Sequence, residues 1–105
     1  MAEITVSVAD SLQRFIDLLR RRLPQVEAVY LYGSQSQGAA TEWSDIDVAV
    51  VSPAFMPDLF QERVMLLRLA AQVDDRIEPT PFRPQDFISS DPLVSQICRT
   101  GVRLV

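Results

Sequence analysis

The stretch LYGSQSQGAATEWSDIDVAVV, residues 31–51, decides how the rest of the chain is read. It closes one apolar run (VEAVYLYG, residues 26–33), turns at Gly33 and Ser34, crosses a polar loop and enters a second apolar run that carries Asp45 and Asp47. In a strand, residues two apart share a face and lie about 6.5 Å apart, so the two aspartates aim together. Like charges on one face repel, and a strand that only packs has no use for them. The pair makes sense where a cation offsets it. Carboxylate oxygens without His or Cys suit hard Mg²⁺ or Mn²⁺, which keep waters and take further ligands from substrate phosphates.

The Gly-Ser turn supplies the other half. Gly33 lets the backbone approach a ligand closely, Ser34 offers a hydroxyl and an N–H to a phosphate oxygen, and Gly38 relaxes the loop again. A Gly-Ser turn alone is just a turn, and an isolated D-x-D arises often by chance. Together, on a strand–loop–strand, they are the minimum equipment for phosphoryl or nucleotidyl transfer, in which catalysis is mostly positioning.

Working outward, SVADSLQRFIDLLRRRL (residues 7–23) is expected as a helix with Leu12, Phe15, Ile16, Leu19 and Leu23 on one stripe. Asp10 with Gln13, or Ser7 one turn earlier, is its expected cap, and Pro24 its stop. DIDVAVVS (residues 45–52) reads as a central strand, apolar on both faces at its end. A second helix is expected over residues 58–73, capped by Asp58, with Leu59, Phe60, Val64, Leu67 and Ala71 as its buried stripe. RIEPTPF (residues 76–82) reads as a strand that Pro79 and Pro81 demote to an edge, or to a short strand that ends early. A last helix follows, with Asp91 as cap, Pro92 in the first turn and Gly101 at its end, and VRLV closes as a short strand. The order α-β-β-α-β-α predicts an α/β (α+β) fold: a small mixed sheet of three to four strands with helices packed on one side.

Composition narrows the chemistry. The chain has 105 residues, a length expected for a single domain spanning 1–105. Its apolar runs are far too short to cross a bilayer and no basic-then-apolar leader opens it, so a cytoplasmic location without membrane contact is expected. There is no histidine, which removes Ser-His-Asp triads and His-containing zinc sites. A net charge of −4 argues against direct nucleic-acid binding. Arg20, Arg21 and Arg22 read as a solvated helix end, and the single Cys98 as a buried or half-buried apolar residue.

The segment GSQSQGAATEWSDIDVAVV resembles the signature of the nucleotidyltransferase superfamily that includes DNA polymerase β, and more closely that of minimal nucleotidyltransferase (MNT) domains. The preceding helix, RIEPTPFRPQDF and PLVSQICRTGVRL fit that group as well. The resemblance implies the nucleotidyltransferase fold, Mg²⁺, ATP as substrate, and three acidic residues. Two come from the D-x-D, Asp45 and Asp47, and the third from the next strand, where Glu78 falls; Asp74 and Asp75 are its competitors. Gly33 and Ser34 would hold the triphosphate. It further implies a HEPN-type RNase toxin as partner and AMP transfer to a toxin tyrosine, with binding alone as the alternative mode of neutralisation. Many relatives carry a basic residue where this chain has QSQ; Arg76 and Arg83 are candidates to compensate, and Trp43 either lines the nucleotide site or covers the sheet end.

Overall fold

The computed structural model of the chain describes residues 4–38, 40–41 and 43–105. Helix α1 (Val6–Arg22) leads into strand β1 (Ala28–Tyr32), a 3-10 turn (Gly33–Gln35) and strand β2 (Ile46–Val51). Helix α2 (Leu59–Ala71), strand β3 (Ile77–Phe82), a second 3-10 turn (Pro84–Asp86), helix α3 (Pro92–Thr100) and strand β4 (Val102–Arg103) complete the order. The strands form one mixed sheet, β3-β2-β1-β4. Strand β1 runs antiparallel to β2 and β4, and β3 runs parallel to β2.

Alternation along β1 and β2 builds two apolar layers. Val29, Leu31, Ile46, Val48 and Val50 face α1 and α2, joining Leu12, Phe15, Leu19 and Leu66 in the main core. Ala28, Ala49 and Val51 face the other way and pack with Phe82, Val94 and Ile97. The helices are therefore not all on one side: α1 and α2 share a face and α3 covers the opposite one. A sheet apolar on both faces must be covered on both, and the short β1 and β2 strands are. Gly101 follows α3 closely enough that a Cβ there would press on the carbonyl oxygens of Ile97 and Leu31, so only glycine lets the chain turn into β4 beside β1.

Helix boundaries depart from expectation at α1. The cap is Thr5, in extended conformation, whose Oγ1 accepts the Val8 N–H at 3.2 Å. Asp10 lies a full turn inside the helix, and Ser7 lies within its first turn. At α2 the expected cap holds, with Asp58 accepting the Phe60 N–H at 3.1 Å. The expected buried stripe does not. Leu66, Leu69 and Ala70 face the core, whereas Phe60, Leu67 and Ala71 are exposed and Leu59 and Val64 half-buried. Helix α2 carries apolar residues on two sides, and periodicity alone does not say which side meets the sheet. Cys98 is likewise exposed, because α3 uses Val94 and Ile97 for packing.

Strand β3 is an edge, and its prolines sit where an edge tolerates them. The Ile46 N–H donates to Arg76 O at 2.7 Å and the Ser52 N–H to Phe82 O at 3.0 Å. Even-numbered residues of β3 therefore face β2, and by the two-residue period the nitrogens of Pro79 and Pro81 point outward. Among the described residues no helix is long and apolar enough to cross a membrane.

Candidate functional site

The site is built at the end of the sheet where β1 stops and β2 and β3 begin. In register, Tyr32 lies opposite Asp47, and Asp47 lies beside Glu78. The parity that sends Ala49, Val51 and Phe82 toward α3 sends Asp47 and Glu78 to the same face, and Asp45, just ahead of β2, is near enough for its charge to act on Asp47. Of the three acids singled out in the sequence, Asp47 and Glu78 are neighbours on one face and Asp45 stands at the entry of β2 beside them. Asp45 and Glu78 are exposed and Asp47 is half-buried. None of the three makes a hydrogen bond or ion pair to a described residue.

Their electrostatics follow from that crowding. Burial raises the Asp47 carboxyl above the ordinary 3.8, and the charges of Glu78 and Asp45 raise it further. Among the described residues no three acidic, His or Cys side chains are gathered closely enough to hold a metal ion as they stand. In kind the donor set suits a hard cation: carboxylates without a described partner, oxygen only, with Asp45 and Glu78 exposed. A cation there would relieve the repulsion that raises Asp47.

Of the competing acids, Asp74 is engaged in the fold. Asp74 accepts from Ser11 Oγ at 2.7 Å and from the Arg76 guanidinium at 2.8 and 3.1 Å, tying α1 to the start of β3. The Arg76 side chain holds the Asp74 carboxyl well below the usual carboxylate range. Asp75 is exposed beside it.

Gly33 meets Asp47 directly. Its φ of +73° is left-handed, and a Cβ on it would overlap Asp47 Oδ2. Only glycine satisfies both demands. The turn is held by Ser36, whose N–H and Oγ both donate to Gly33 O, at 3.2 and 2.9 Å. Ser34 is half-buried, and its hydroxyl makes no hydrogen bond to a described residue, so it is available to a ligand. Gly38, also at φ +73°, turns the loop again. Buried Gln35 donates to Ser44 O at 3.4 Å, and Ser44 Oγ accepts the Thr41 N–H at 2.8 Å, so Ser44 braces the loop.

The two candidate arginines are engaged: Arg76 with Asp74, and Arg83 with Asp86 at 2.9 Å. Trp43 is 83% exposed and does not cover the sheet end. Sequence reasoning missed Tyr32 and Thr80, whose hydroxyls lie 3.4 Å apart on the acidic face beside Asp47 and Glu78. The shared parity of Tyr30 and Tyr32 was the available signal. A cavity of about 530 Å³ lies between the start of α1 and the loop, lined by Thr5, Ser7, Gln35, Thr41 and Arg76. None of the three carboxylates lines it, so size alone does not mark the site.

Residues 12–96 match the family model described as a nucleotidyltransferase domain. The chain is 29% identical over 83 residues to the protein adenylyltransferase MntA of Shewanella oneidensis, covering 79% of this chain and 59% of that protein's length. A crystal structure of a toxin–antitoxin complex with AMP-PNP superposes with a TM-score of 0.67 at 28% identity, covering 89% of this chain and 71% of the matched one. The MNT antitoxin in complex with a tri-AMPylated HEPN toxin of Shewanella oneidensis gives a TM-score of 0.63 at 24% identity over 92% of this chain and 71% of the matched one, a likeness of fold.

Proposed function

Because this chain belongs to the nucleotidyltransferase domain family, we propose that it transfers AMP from ATP to a hydroxyl of a partner protein, a tyrosine of a HEPN-type toxin, and thereby acts as a cytoplasmic antitoxin. The observation that carries this reading is the row Tyr32–Asp47–Glu78, with Asp45 alongside and Gly33 pressed against Asp47. It sets three unpaired carboxylates beside an open turn with a free serine hydroxyl.

In this reading Asp45, Asp47 and Glu78 hold Mg²⁺. The cation supplies charge neutralisation on the triphosphate and a lowered barrier for the attacking oxygen. Ser34 and the backbone at Gly33 position the β- and γ-phosphates, and the left-handed turn keeps that backbone clear of a side chain. The acceptor oxygen forms a bond to the α-phosphorus, the bond to the pyrophosphate oxygen breaks, and pyrophosphate leaves. With no histidine in the chain, a carboxylate is the base within reach of the acceptor proton.

Support from relatives is of the same kind: the matched protein is named an adenylyltransferase and a matched complex holds an ATP analogue. The chain spans 59% of that relative's length, so its acceptor is tested directly. Intact mass of a co-expressed HEPN-type partner, before and after incubation with Mg²⁺ and ATP, should rise by one or more AMP units. Asp47→Asn should abolish the gain while the complex survives. A tight, inhibited complex with no mass change would instead assign neutralisation to binding alone.

A further inference from the structure

Helix α2 carries two apolar stripes, and the sheet uses one. Leu66, Leu69 and Ala70 are buried, while Phe60, Val64, Leu67 and Ala71 line the other side at intervals of four, three and four residues. That spacing is the a/d seam of a helix–helix contact. Phe60 is 71% exposed and Leu67 38%, and Met56, just ahead of the helix, is 64% exposed.

The flanks of the seam carry one sign of charge. With Phe60 and Leu67 at d and Val64 and Ala71 at a, Arg63 falls at g and Arg68 at e. The exposed residues of α2 include no carboxylate. Its one acid, Glu62, is half-buried and accepts the Met56 N–H at 3.0 Å. Neither Arg63 nor Arg68 forms an ion pair with a described residue, although the chain as a whole is acidic. A groove of about 420 Å³ toward α1, rimmed by Arg21, Arg22 and Arg68, continues the positive surface.

This charge pattern selects the occupant. Two copies packed antiparallel set g against g and e against e, and packed parallel they set g against e. Either way arginine meets arginine. We infer that the outer face of α2 docks an amphipathic helix of a partner protein whose apolar seam is flanked by glutamate or aspartate. The inference deepens the partner reading above and rests on it. Because α2 and the acids Asp47 and Glu78 lie on opposite faces of the sheet, this contact anchors the partner without covering those carboxylates.

The probe is a pair of synthetic helical peptides with Leu at a and d, one with Glu and one with Lys at e and g, titrated onto the full chain by fluorescence anisotropy. The Glu-flanked peptide should bind roughly tenfold tighter, the combined value of two arginine contacts. Arg63→Glu with Arg68→Glu should reverse the preference, and Phe60→Asp should lose both peptides, with circular dichroism confirming that each variant folds. No binding of either peptide, or equal binding, overturns the inference. So does a concentration-dependent dimer of the unaltered chain that Phe60→Asp dissolves, since a second copy would then occupy the face. With a co-expressed HEPN-type protein, a complex that survives both variants overturns this docking face and leaves the partner reading intact. Failure of the unaltered chain to form that complex overturns the partner reading, and the peptide titration then still decides the face.

Discussion

Asp47 is held at a cost to the fold. It is half-buried, without a partner among the described residues, and faces the charges of Glu78 and Asp45. Its folded carboxyl binds a proton more tightly than the unfolded one, so stability falls as pH rises from 3.8 through the raised value, and the deficit is fully present at neutral pH. Asp47→Asn should therefore raise stability at pH 7 by roughly 0.2–1 kcal/mol, the range of a cross-strand pair. The gain should vanish as pH falls below 3.8, where both states are protonated; urea titrations of the two proteins at pH 7 and pH 3 read the difference. Asp74 works in the opposite sense. Arg76 and Ser11 stabilise its charged form, so its contribution is present above 3.8 and lost as pH falls below it. Two aspartates in one small chain thus act on stability with opposite signs.

At the scale of elements, β3 shows how an edge is kept from pairing with another chain. Pro79 and Pro81 remove the outward N–H donors of an edge strand. Pro79→Val and Pro81→Val should each cost roughly 0.4–1 kcal/mol as the unfolded chain regains freedom. They should also promote self-association, visible as a larger mass in light scattering after gel filtration. The edge was legible in the sequence because proline chemistry is local, and so were the D-x-D strand, the Asp58 and Asp91 caps and the apolar stripe of α1. What was not legible depended on what lies across the core. Asp10 with Gln13 has the letters of a capping box, but the helix already starts at Thr5. Phe60 and Leu67 have the spacing of a buried stripe, but the sheet accepts Leu66 and Leu69 instead. The second layer under α3 was hidden because Ala28 and Ala49 give a weak apolar signal, although they let a helix pack on that face.

At the scale of the whole molecule, the acidic row and the outer face of α2 lie on opposite sides of the sheet. Asp47 and Glu78 share the α3 face of the sheet, whereas Arg63 and Arg68 stand on α2 and, with Arg21 and Arg22 of α1, on the side of the α1–α2 layer. Magnesium with ATP should bind the folded state alone, and at a hundred times its Kd should stabilise it by about 2.7 kcal/mol. For a chain of this size that is a rise in Tm on the order of 10 °C. Thermal melts with and without Mg²⁺ and ATP read the shift, which Asp47→Asn should remove.

The parallel seam between β2 and β3 has one more consequence. Asp45 and Asp47 stand on one side of it, Glu78 on the other, and α2 lies between them in the chain. The antiparallel β1–β2 pair can close across its own loop, but the β2–β3 pair must wait until α2 has crossed over and docked. A nascent or half-assembled chain therefore holds the Gly-Ser turn and two aspartates without the third carboxylate. On the proposed reading, any chemistry that needs all three carboxylates is therefore tied to the docking of α2 and the pairing of β3 beside β2.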